Sequence, residues 1–286
     1  MRIGFIGQGF IGKSYADDFE KRGFDVVRYT RSAPYAQNKD HIKGCDVVFI
    51  AVPAPTTPKG FDDSTVGQVL SLVGDGKIAV IKCTMLPGST ERLQKKYPKK
   101  IVFHSPEFLV ESTAAHDAAH PTRNIIGISR DTPAQREAAE KVMSVLPNAP
   151  FTQIISSRES ELVKYAANCF LYTKVVFANA FYDIAKAYGC DWNNFREAVG
   201  ADPRIGQSHF KVVDVSRHPG AKPGRGAGGH CFIKDFAALR SDYKKQKKAD
   251  KKTLALLRAL EDKNISLLKA TKKDIELLKG VYGTKI

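Results

Sequence analysis

Cys231 is the residue whose type and setting best suit covalent chemistry. It lies in the segment GAGGHCFIKD, after a stretch rich in proline and glycine and before residues 232–240, which have a helical pattern. A thiol at a helix N-terminus ionises more readily, and the thiolate attacks carbonyl carbons. Lys234 adds positive charge, and Asp235 lies one helical turn away. Two interpretations stay open, a nucleophile and a small apolar residue in a tight turn.

Lys164 and Asn168 form a second chemical pair, four residues apart in the run 157–188. The run has a helical pattern without proline or internal glycine and ends before Gly189, so it predicts one long helix that suits an interdomain spine or a dimer contact. Residues four apart share a helix face, and an ammonium beside an amide could hold a developing oxyanion. A solvated lysine beside an unrelated polar residue is the alternative.

The elements that would position a cofactor begin with a short apolar run, residues 2–6, which precedes GQGFIG and a helical pattern. Gly7 would permit a tight turn, Gly9 would let the backbone approach a pyrophosphate, and Gly12 would allow close packing of helix on strand. The N–H groups at the helix start would then hold the phosphates. The predicted cofactor-binding residues of this loop are Gly7, Gln8, Gly9, Phe10, Ile11 and Gly12.

The end of the second predicted strand, residues 25–29, favours NADP slightly over NAD. NAD enzymes usually carry an acidic residue there for the ribose hydroxyls, but this chain continues with Thr30, Arg31 and Ser32. A guanidinium and small hydroxyls suit a 2′-phosphate better. We therefore predict cofactor contacts from Thr30 and Arg31; the alternative is that Arg31 points into solvent.

Further apolar runs alternate with helical or loop segments, which is typical of an α/β fold with a doubly wound parallel sheet of Rossmann type. The carboxyl ends of such strands line the cofactor crevice, so Val52, Pro53 and Thr84 are expected to face the cofactor. The predicted strands cover residues 45–52, 77–84, 100–105 and 124–128.

Composition limits the classes of partner. The formal net charge of +15 suits an anionic cofactor or substrate, and nucleic-acid binding is not expected because no aromatic residues interleave with basic ones as in RNA-binding modules. Five widely spaced cysteines predict no disulfide framework, and no CxxC or HExxH spacing indicates a metal site. No apolar stretch approaches about 18 residues and the start lacks signal-peptide features, so we expect a cytoplasmic protein without a membrane segment.

Eight motifs, in order and with their rough spacing over residues 1–240, make the chain resemble the UDP-glucose/GDP-mannose dehydrogenase family. Their conjunction is far more specific than any one of them. They are GQGFIG at 7–12, VPAP at 52–55, KCTMLPGST at 82–90, SPEFLVEST at 105–113, HPTRNIIG at 120–127, ELVKYAANCF at 161–170, DPRIG at 202–206 and GGHCFIKD at 228–235.

The resemblance implies two successive NAD(P)-dependent oxidations of a sugar-nucleotide alcohol to the acid. Cys231 would attack the aldehyde left by the first hydride transfer, and the second would leave a thioester that water cleaves. Lys164 and Asn168 would stabilise the oxyanionic intermediates. The residues that would assist proton transfer or thioester hydrolysis are Asp235, Thr84, Glu111 and Glu107. Which carboxylate serves which step stays open, and the alternatives are strand-end, capping or surface-pairing roles.

The resemblance also implies substrate contacts and a homodimer built around the long helix. Arg204, in the DPRIG motif, would reach the sugar nucleotide at the dimer interface. The GGHC sequence resembles the branch that acts on N-acetylated UDP-sugars, whereas FIKD resembles the UDP-glucose branch. UDP-glucose oxidised to UDP-glucuronate is the preferred assignment. The predicted substrate-binding residues are Phe108, Leu109, Lys164, Asn168, Arg204, Gly228 and Gly229.

We expect three regions: a dinucleotide-binding domain (1–150), a helical central and dimerisation domain (151–240) and a Lys-rich helical C-terminal segment (241–286). Family members continue with a second α/β domain of about a hundred residues. The chain ends about 50 residues after Cys231, so we expect that domain to be missing.

The longer loop between Arg204 and Gly228 offers substitute phosphate contacts, which would be Lys211, Arg217, Lys222 and Arg225. Two alternatives remain for the whole protein: a β-hydroxyacid-type dehydrogenase acting on a different small alcohol, and a non-catalytic cofactor-binding subunit.

Overall fold

The chain divides into two compact units. A computed structural model describes residues 1–218, 220–284 and 286. The first unit comprises residues 1–55 and 62–164, and the second comprises residues 56–61 and 165–286.

Strands dominate the first unit and helices the second. The strands are β1 (Arg2–Ile6), β2 (Asp25–Tyr29), β3 (Val47–Ile50), β4 (Thr56–Thr57), β5 (Gly60–Phe61), β6 (Ile78–Ile81), β7 (Ile101–His104), β8 (Arg123–Ile128), β9 (Phe151–Ser156), β10 (Val213–Val215) and β11 (Pro223–Arg225). The α-helices are α1 (Phe10–Lys21), α2 (Ser64–Leu70), α3 (Ser89–Lys96), α4 (Ala114–Ala119), α5 (Pro133–Met143), α6 (Ser157–Ala187), α7 (Trp192–Gly200), α8 (Gly229–Tyr243), α9 (Lys251–Thr271) and α10 (Ile275–Tyr282). Two 3₁₀ helices span Ala36–Gly44 and Glu111–Thr113.

The first unit is built on one sheet with the strand order β2-β1-β3-β6-β7-β8-β9. The strands from β2 to β7 in this order are parallel, which confirms the predicted Rossmann-type α/β fold. All residues of β3 and β6 are buried, as the central strands of a parallel sheet require. Packing against the sheet includes the rings of Phe5 and Phe49, stacked at 5.1 Å, with Phe19 edge-on to both.

The sheet is not parallel throughout, in contrast to the sequence-based expectation. β8 runs antiparallel to β7 and parallel to β9, a strand that the sequence did not predict. The reason is the connection after β7, which returns through a short 3₁₀ helix and α4 instead of crossing to the other end of the sheet. Residues 105–122 therefore begin and end at the carboxyl edge of β7.

The second unit is helical apart from two two-stranded ribbons among its described residues. α6 packs on α8 through the stacked rings of Tyr172 and Phe236, 4.0 Å apart. α9 and α10 confirm the predicted C-terminal helices, and both contact α8. The stretch rich in proline and glycine before Cys231, whose composition disfavours a strand, contains β11, which pairs with β10. Pro223 starts the strand at a position where proline is tolerated in a sheet.

The division between the units falls inside α6, whereas the sequence placed a boundary at residue 150. The first turns of α6 belong to the first unit because buried polar groups hold them there. Ser160 Oγ lies 2.9 Å from the ring nitrogen Nδ1 of His104 at the end of β7. Within the part of the chain that the structure describes, no helix combines the length and apolar character needed to cross a membrane.

Gly12→Ala should destabilise the first unit by about 1–3 kcal/mol. A Cβ at residue 12 would lie 2.0 Å from the carbonyl oxygen of Gly7, so helix and strand must separate. The matched control is Gly9→Ala, because a Cβ there meets no described atom within 4 Å. Urea denaturation followed by circular dichroism measures both. Since alanine ordinarily stabilises a helix relative to glycine, a Gly12→Ala variant as stable as the wild type would contradict this packing.

Candidate active site

The loop between β1 and α1 is shaped to accept an anionic group. Gly7 has a φ of 93°, and a Cβ there would lie 2.2 Å from the carbonyl oxygen of Ala51 on the neighbouring strand end. Gly9 has open space where a side chain would be. No side chain among the described residues caps α1 at Gly9, which leaves the first N–H groups of the helix available to phosphate oxygens. The loop therefore fits a pyrophosphate.

The other residues of this loop have different surroundings. Gln8 donates from Nε2 to the carbonyl oxygen of Gly7 at 3.1 Å. Phe10 is exposed at the helix start. Ile11 packs against the apolar core of the first unit. Gln8 and Phe10 therefore lie on the outer side of the loop, whereas Ile11 lies on the side that packs against the core.

Two arginines flank the end of β2, and only one of them remains exposed. Arg28 is buried and forms ion pairs with Asp17 and Glu20 on α1, both at 2.7 Å. Arg31 is exposed and donates to the amide oxygen of Gln68 at 3.1 Å. Arg31, beside Thr30, therefore does not only point into solvent, because its guanidinium is also bonded to Gln68.

Val52, Pro53 and Thr84 follow two neighbouring parallel strands. Val52 and Pro53 come after β3, and Thr84 comes after β6. Val52 and Thr84 are buried, whereas Pro53 is exposed. β1 lies on the other side of β3, so its glycine loop opens at the same edge of the sheet.

Glu107 and Lys164 form a buried ion pair in the first unit. The carboxylate oxygen Oε1 lies 2.9 Å from Nζ, and each side chain is only 6% exposed. Oε2 accepts the backbone N–H of Leu109 at 2.7 Å. Lys164 is therefore not a solvated surface lysine. The pair neutralises two charges that would each be costly to bury alone.

The residues around Glu107 do not all join this pair. The guanidinium carbon of Arg123 lies over the ring of Phe108, 3.6 Å from the centroid of that ring. The ammonium of Lys164 lies 5.5 Å from the same centroid. Leu109 is partly buried and packs against the apolar core of the first unit. Glu111 is exposed in a 3₁₀ helix.

A buried lysine and histidine at the ends of β6 and β7 escaped the sequence analysis. Burial lowers the pKa of Lys82 to about 7 and that of His104 to about 3. Lys82 donates to Ser105 Oγ at 3.3 Å and to the carbonyl oxygen of Pro106 at 3.4 Å, next to Glu107. The only signal for these two residues in the sequence was that each of two otherwise apolar strands ends with a polar residue.

Glu161 was also missed, and it anchors the helix that carries Lys164. Its carboxylate accepts the backbone N–H groups of Gly88 and Thr90 at 2.6 and 2.7 Å and the hydroxyl of Thr90 at 2.7 Å. These donors lie at the N-terminus of α3, where a negative charge is favoured. The bonds hold α6 against α3 within the first unit.

In the second unit, Cys231 and Asp235 lie one turn apart near the start of α8. Cys231 is the third residue of the helix and is exposed, which confirms the predicted helix N-terminus. Asp235 is 1% exposed and accepts the amide Nδ2 of Asn168 at 2.6 Å. Its other oxygen pairs with Lys234. Asp235 is therefore not a surface group, and α6 and α8 each contribute one member of a buried amide–carboxylate pair.

The predicted substrate residues of the second unit differ in their surroundings. Arg204 is 88% exposed and pairs with Asp202 at 2.6 Å. Gly228 caps α8 in an extended conformation, and Gly229 has a φ of 80°. Arg225 donates to Asp183 and to Asn179, so its guanidinium is already engaged and does not offer the substitute phosphate contact that we expected.

The two units thus hold separate chemical groups. The first supplies an anion-binding loop and a neutralised lysine–carboxylate pair. The second supplies an accessible thiol one turn before a buried carboxylate. Among the described residues, no group of three or more histidine, cysteine or acidic side chains is arranged to hold a metal ion.

Lys82→Met should change how stability depends on pH. Because burial lowers the pKa of Lys82 to about 7, the unfolded chain binds one more proton than the folded chain between pH 7 and about 10.4. The free energy of unfolding of the wild type should therefore rise over that interval. The variant should be more stable than the wild type at pH 7, and its advantage should shrink by about 3–4 kcal/mol towards pH 10.

Urea denaturation at several pH values measures this difference, with Lys99→Met as the control because Lys99 is exposed in the same unit. If the free energy of unfolding of the Lys82→Met and Lys99→Met variants changed with pH in the same way, the buried charge of Lys82 would have no measurable cost in stability.

Two segments of the chain match one protein family. Residues 30–146 match the NAD-binding domain, and residues 158–265 match the central domain, of the UDP-glucose/GDP-mannose dehydrogenase family. Together these segments contain the Glu107–Lys164 pair, the Asn168–Asp235 pair and Cys231.

Curated relatives agree with this match. A UDP-glucose 6-dehydrogenase of Pseudomonas aeruginosa is 32% identical over 255 residues, covering 84% of this chain and 52% of the relative. The UDP-glucose 6-dehydrogenase AglM of Haloferax volcanii is 28% identical, covering 84% of this chain and 64% of the relative. The chain thus spans about half to two thirds of the length of these relatives.

Solved structures show the same fold. A UDP-glucose dehydrogenase from Pyrobaculum islandicum superposes with a TM-score of 0.75 at 27% identity, covering 94% of this chain and 68% of the other. A UDP-D-ManNAc dehydrogenase from Pyrococcus horikoshii superposes with a TM-score of 0.77 at 23% identity, a likeness of fold alone, covering 94% of this chain and 69% of the other. The chain therefore belongs to the UDP-glucose/GDP-mannose dehydrogenase family.

Proposed function

We propose that this chain oxidises the primary alcohol of a sugar nucleotide to the carboxylate in two NAD(P)-dependent steps, with UDP-glucose as the preferred substrate. The observation that carries the proposal is the accessible thiol of Cys231 one helical turn before Asp235, a buried carboxylate bonded to Asn168. The names of the relatives support the substrate class. A thiol in such a setting is suited to covalent catalysis on a carbonyl group.

The covalent steps take place on Cys231. Its thiolate adds to the carbon of the aldehyde left by the first oxidation and forms a thiohemiacetal. Loss of hydride from that carbon gives a thioester. Water then attacks the thioester carbonyl, the carbon–sulfur bond breaks, and the carboxylate and the thiol are released.

Asn168 and Asp235 act on the oxygen of these intermediates. One N–H of the Asn168 amide donates to Asp235, which fixes the orientation of the amide. The second N–H can then stabilise an oxyanion without reorganisation. Asp235, which is paired with Lys234, orients the attacking water.

Glu107 and Lys164 supply proton transfer in this proposal. The ammonium of Lys164 stabilises developing negative charge, and Glu107, at 2.9 Å, accepts or returns a proton. Thr84 lies near the same sheet edge and contributes a hydroxyl. Glu111 is exposed in the 3₁₀ helix after Glu107, so we give it the lesser role.

A dinucleotide would be held by the loop from Gly7 to Gly12, with Val52 and Pro53 at the adjacent strand end. When bound, it serves as the hydride acceptor. The exposed guanidinium of Arg31 beside Thr30 supports a 2′-phosphate, so we keep NADP as the slightly favoured cofactor over NAD. For the sugar nucleotide we propose Phe108, Arg204, Gly228 and Gly229 as contacts.

We further propose a homodimer through α6. Three exposed apolar side chains recur along it at a spacing of seven residues, which places them on one stripe of the helix surface, and a fourth follows directly after the helix ends. They are Phe170, Phe177, Ile184 and Tyr188.

Turnover should require Cys231 and should reduce two cofactors per sugar consumed. UDP-glucose, UDP-N-acetylmannosamine and GDP-mannose are each tested with NAD⁺ and NADP⁺, and the reduced nicotinamide is followed by its absorbance. Cys231→Ala should abolish the two-to-one ratio, whereas Cys190→Ala, at the other exposed cysteine, should keep it. Cofactor binding without turnover on any sugar nucleotide would instead favour a different alcohol or a non-catalytic subunit.

Phe170→Glu should weaken self-association by about tenfold or more in dissociation constant, because a charge would enter an apolar interface. Phe170 is 69% exposed. Leu256→Glu on α9 is the control, since it makes the same kind of change at another exposed apolar position. Sedimentation equilibrium measures both variants. A monomeric wild type, or equal effects of the two substitutions, would count against the α6 interface.

A further inference from the structure

The backbone just before Cys231 is held by side chains from the end of α9 and the turn after it. Asn264 accepts the N–H of Ala227 at 2.6 Å and donates to its carbonyl oxygen at 3.0 Å. Thr271 accepts the N–H of Arg225 at 3.0 Å. The ammonium of Lys273 donates to the carbonyl oxygen of Gly226 at 3.1 Å. We call the segment 224–229 the cysteine-leading loop.

The last bond of this set reaches the helix of Cys231 itself. Asp274 accepts the N–H of Gly229, the first residue of α8, at 2.7 Å. Its carboxylate is also bonded to Ser216 and to the ring nitrogen Nε2 of His218, the latter at 2.8 Å. Although burial opposes ionisation, these hydrogen bonds hold the pKa of Asp274 below its usual value. The fixed carboxylate of Asp274 therefore lies at the start of α8, bonded to Gly229, which is two residues before Cys231.

The glycines of the cysteine-leading loop are what allow this close approach. A Cβ at Gly224 would lie 2.6 Å from the Cβ of Lys273, and one at Gly226 would lie 2.9 Å from the amide oxygen of Asn264. A Cβ at Gly228 would lie 2.1 Å from the carboxylate of Asp274. Three alternate glycines thus match one side chain of α9 and two side chains of the turn that follows it.

The turn that presents Lys273 and Asp274 is itself strained. Lys272 and Asp274 have φ values of 54° and 51°, in the left-handed region that ordinary residues avoid at a cost of about 1–2 kcal/mol each. Lys273, between them, is 4% exposed. Such a conformation persists only where the surrounding contacts determine it. The bonds to the cysteine-leading loop and to α8 are those contacts.

We propose that Lys273 and Asp274 are positioning residues that set the place of the Cys231 sulfur, an inference that rests on the proposed function. Lys273 fixes the carbonyl groups of the loop, and Asp274 fixes the first N–H of α8, so the pair determines where the first helical turn begins. Neither side chain needs to touch the substrate. The turn after α9 thereby becomes part of the catalytic apparatus.

The proposal separates the two oxidations. The first converts the alcohol to the aldehyde before Cys231 has formed a bond, whereas the second requires the sulfur at the aldehyde carbon. A displacement of about 1 Å can slow a step about 100-fold. Loss of the positioning contacts should therefore slow the second oxidation selectively and let aldehyde escape.

The test uses Lys273→Met and Asp274→Asn, with Lys272→Met as the matched control. Methionine keeps the length of the lysine stem, and asparagine tolerates the left-handed conformation of residue 274. Lys272 is exposed and lies in the same turn. In both test variants the reduced cofactor per sugar should fall from two towards one, and aldehyde trapped by a hydrazine should rise by about tenfold. The Lys272→Met control should keep the ratio of two reduced cofactors per sugar.

A merely structural role would give a different result. It would lower thermal stability and the rate of both oxidations together and leave the ratio at two, which would overturn the proposal. Should both variants fail to fold, Ser216→Ala removes one donor to Asp274 and leaves the carboxylate in place. The same shift in ratio, smaller in size, is then expected, and an unchanged ratio would overturn the proposal.

A second measurement distinguishes failure of this inference from failure of the proposed function. Alkylation of Cys231 by iodoacetamide, followed by mass spectrometry of its peptide, needs no turnover. Asp274→Asn should raise the alkylation rate by about threefold to tenfold, because a carboxylate that opposes the thiolate at the helix start is removed. A wild type that shows no turnover would refute the proposed function but not this inference. An unchanged alkylation rate would refute the role of Asp274.

Discussion

The carboxylate of Glu161 at the N-terminus of α3 is the contact on which the placement of Lys164, a residue of α6 proposed for catalysis, depends. It accepts three hydrogen bonds from Gly88 and Thr90 and so fixes both the position and the rotation of α6 about its axis. Lys164 follows three residues later and meets Glu107, and Asn168 follows after one more turn. A rotation of α6 by one residue, about 100°, would turn Glu161 and Lys164 away from their partners in the first unit.

The polar groups proposed for catalysis are buried in pairs, so none of these charges is buried without a partner. An isolated ammonium or carboxylate is costly to bury, whereas Lys164 and Glu107 offset each other's charge at 2.9 Å. Asp235 is similarly held by Asn168 and Lys234. Lys82 has weaker partners, and burial lowers its pKa to about 7. Fixed, paired dipoles need no reorganisation when charge develops on a substrate.

Local patterns predicted most of the fold and part of the site. The glycine loop after β1, the long helix α6 and the helix start at Cys231 follow from residue types within a few positions of one another. The Asn168–Asp235 pair was not predictable from spacing, because 67 residues separate its members. For the same reason the sequence did not reveal Glu161, or the hold of Asp274 on Gly229. Arg28 and Arg31 are near neighbours in the same segment, yet only the structure shows which of them α1 neutralises.

The reversal of direction at β8 has a consequence for how such a protein can diverge. Residues 105–122 leave the sheet and return to it at the same edge. The length of this segment therefore does not affect the order of the strands. Lengthening an exposed part of this segment, near residues 110–113, adds only a loop-closure cost of about 0.6 kcal/mol for each doubling of loop length. The chain can therefore vary what it presents beside Glu107 by insertion and deletion, while the strands that support the glycine loop after β1 stay unchanged.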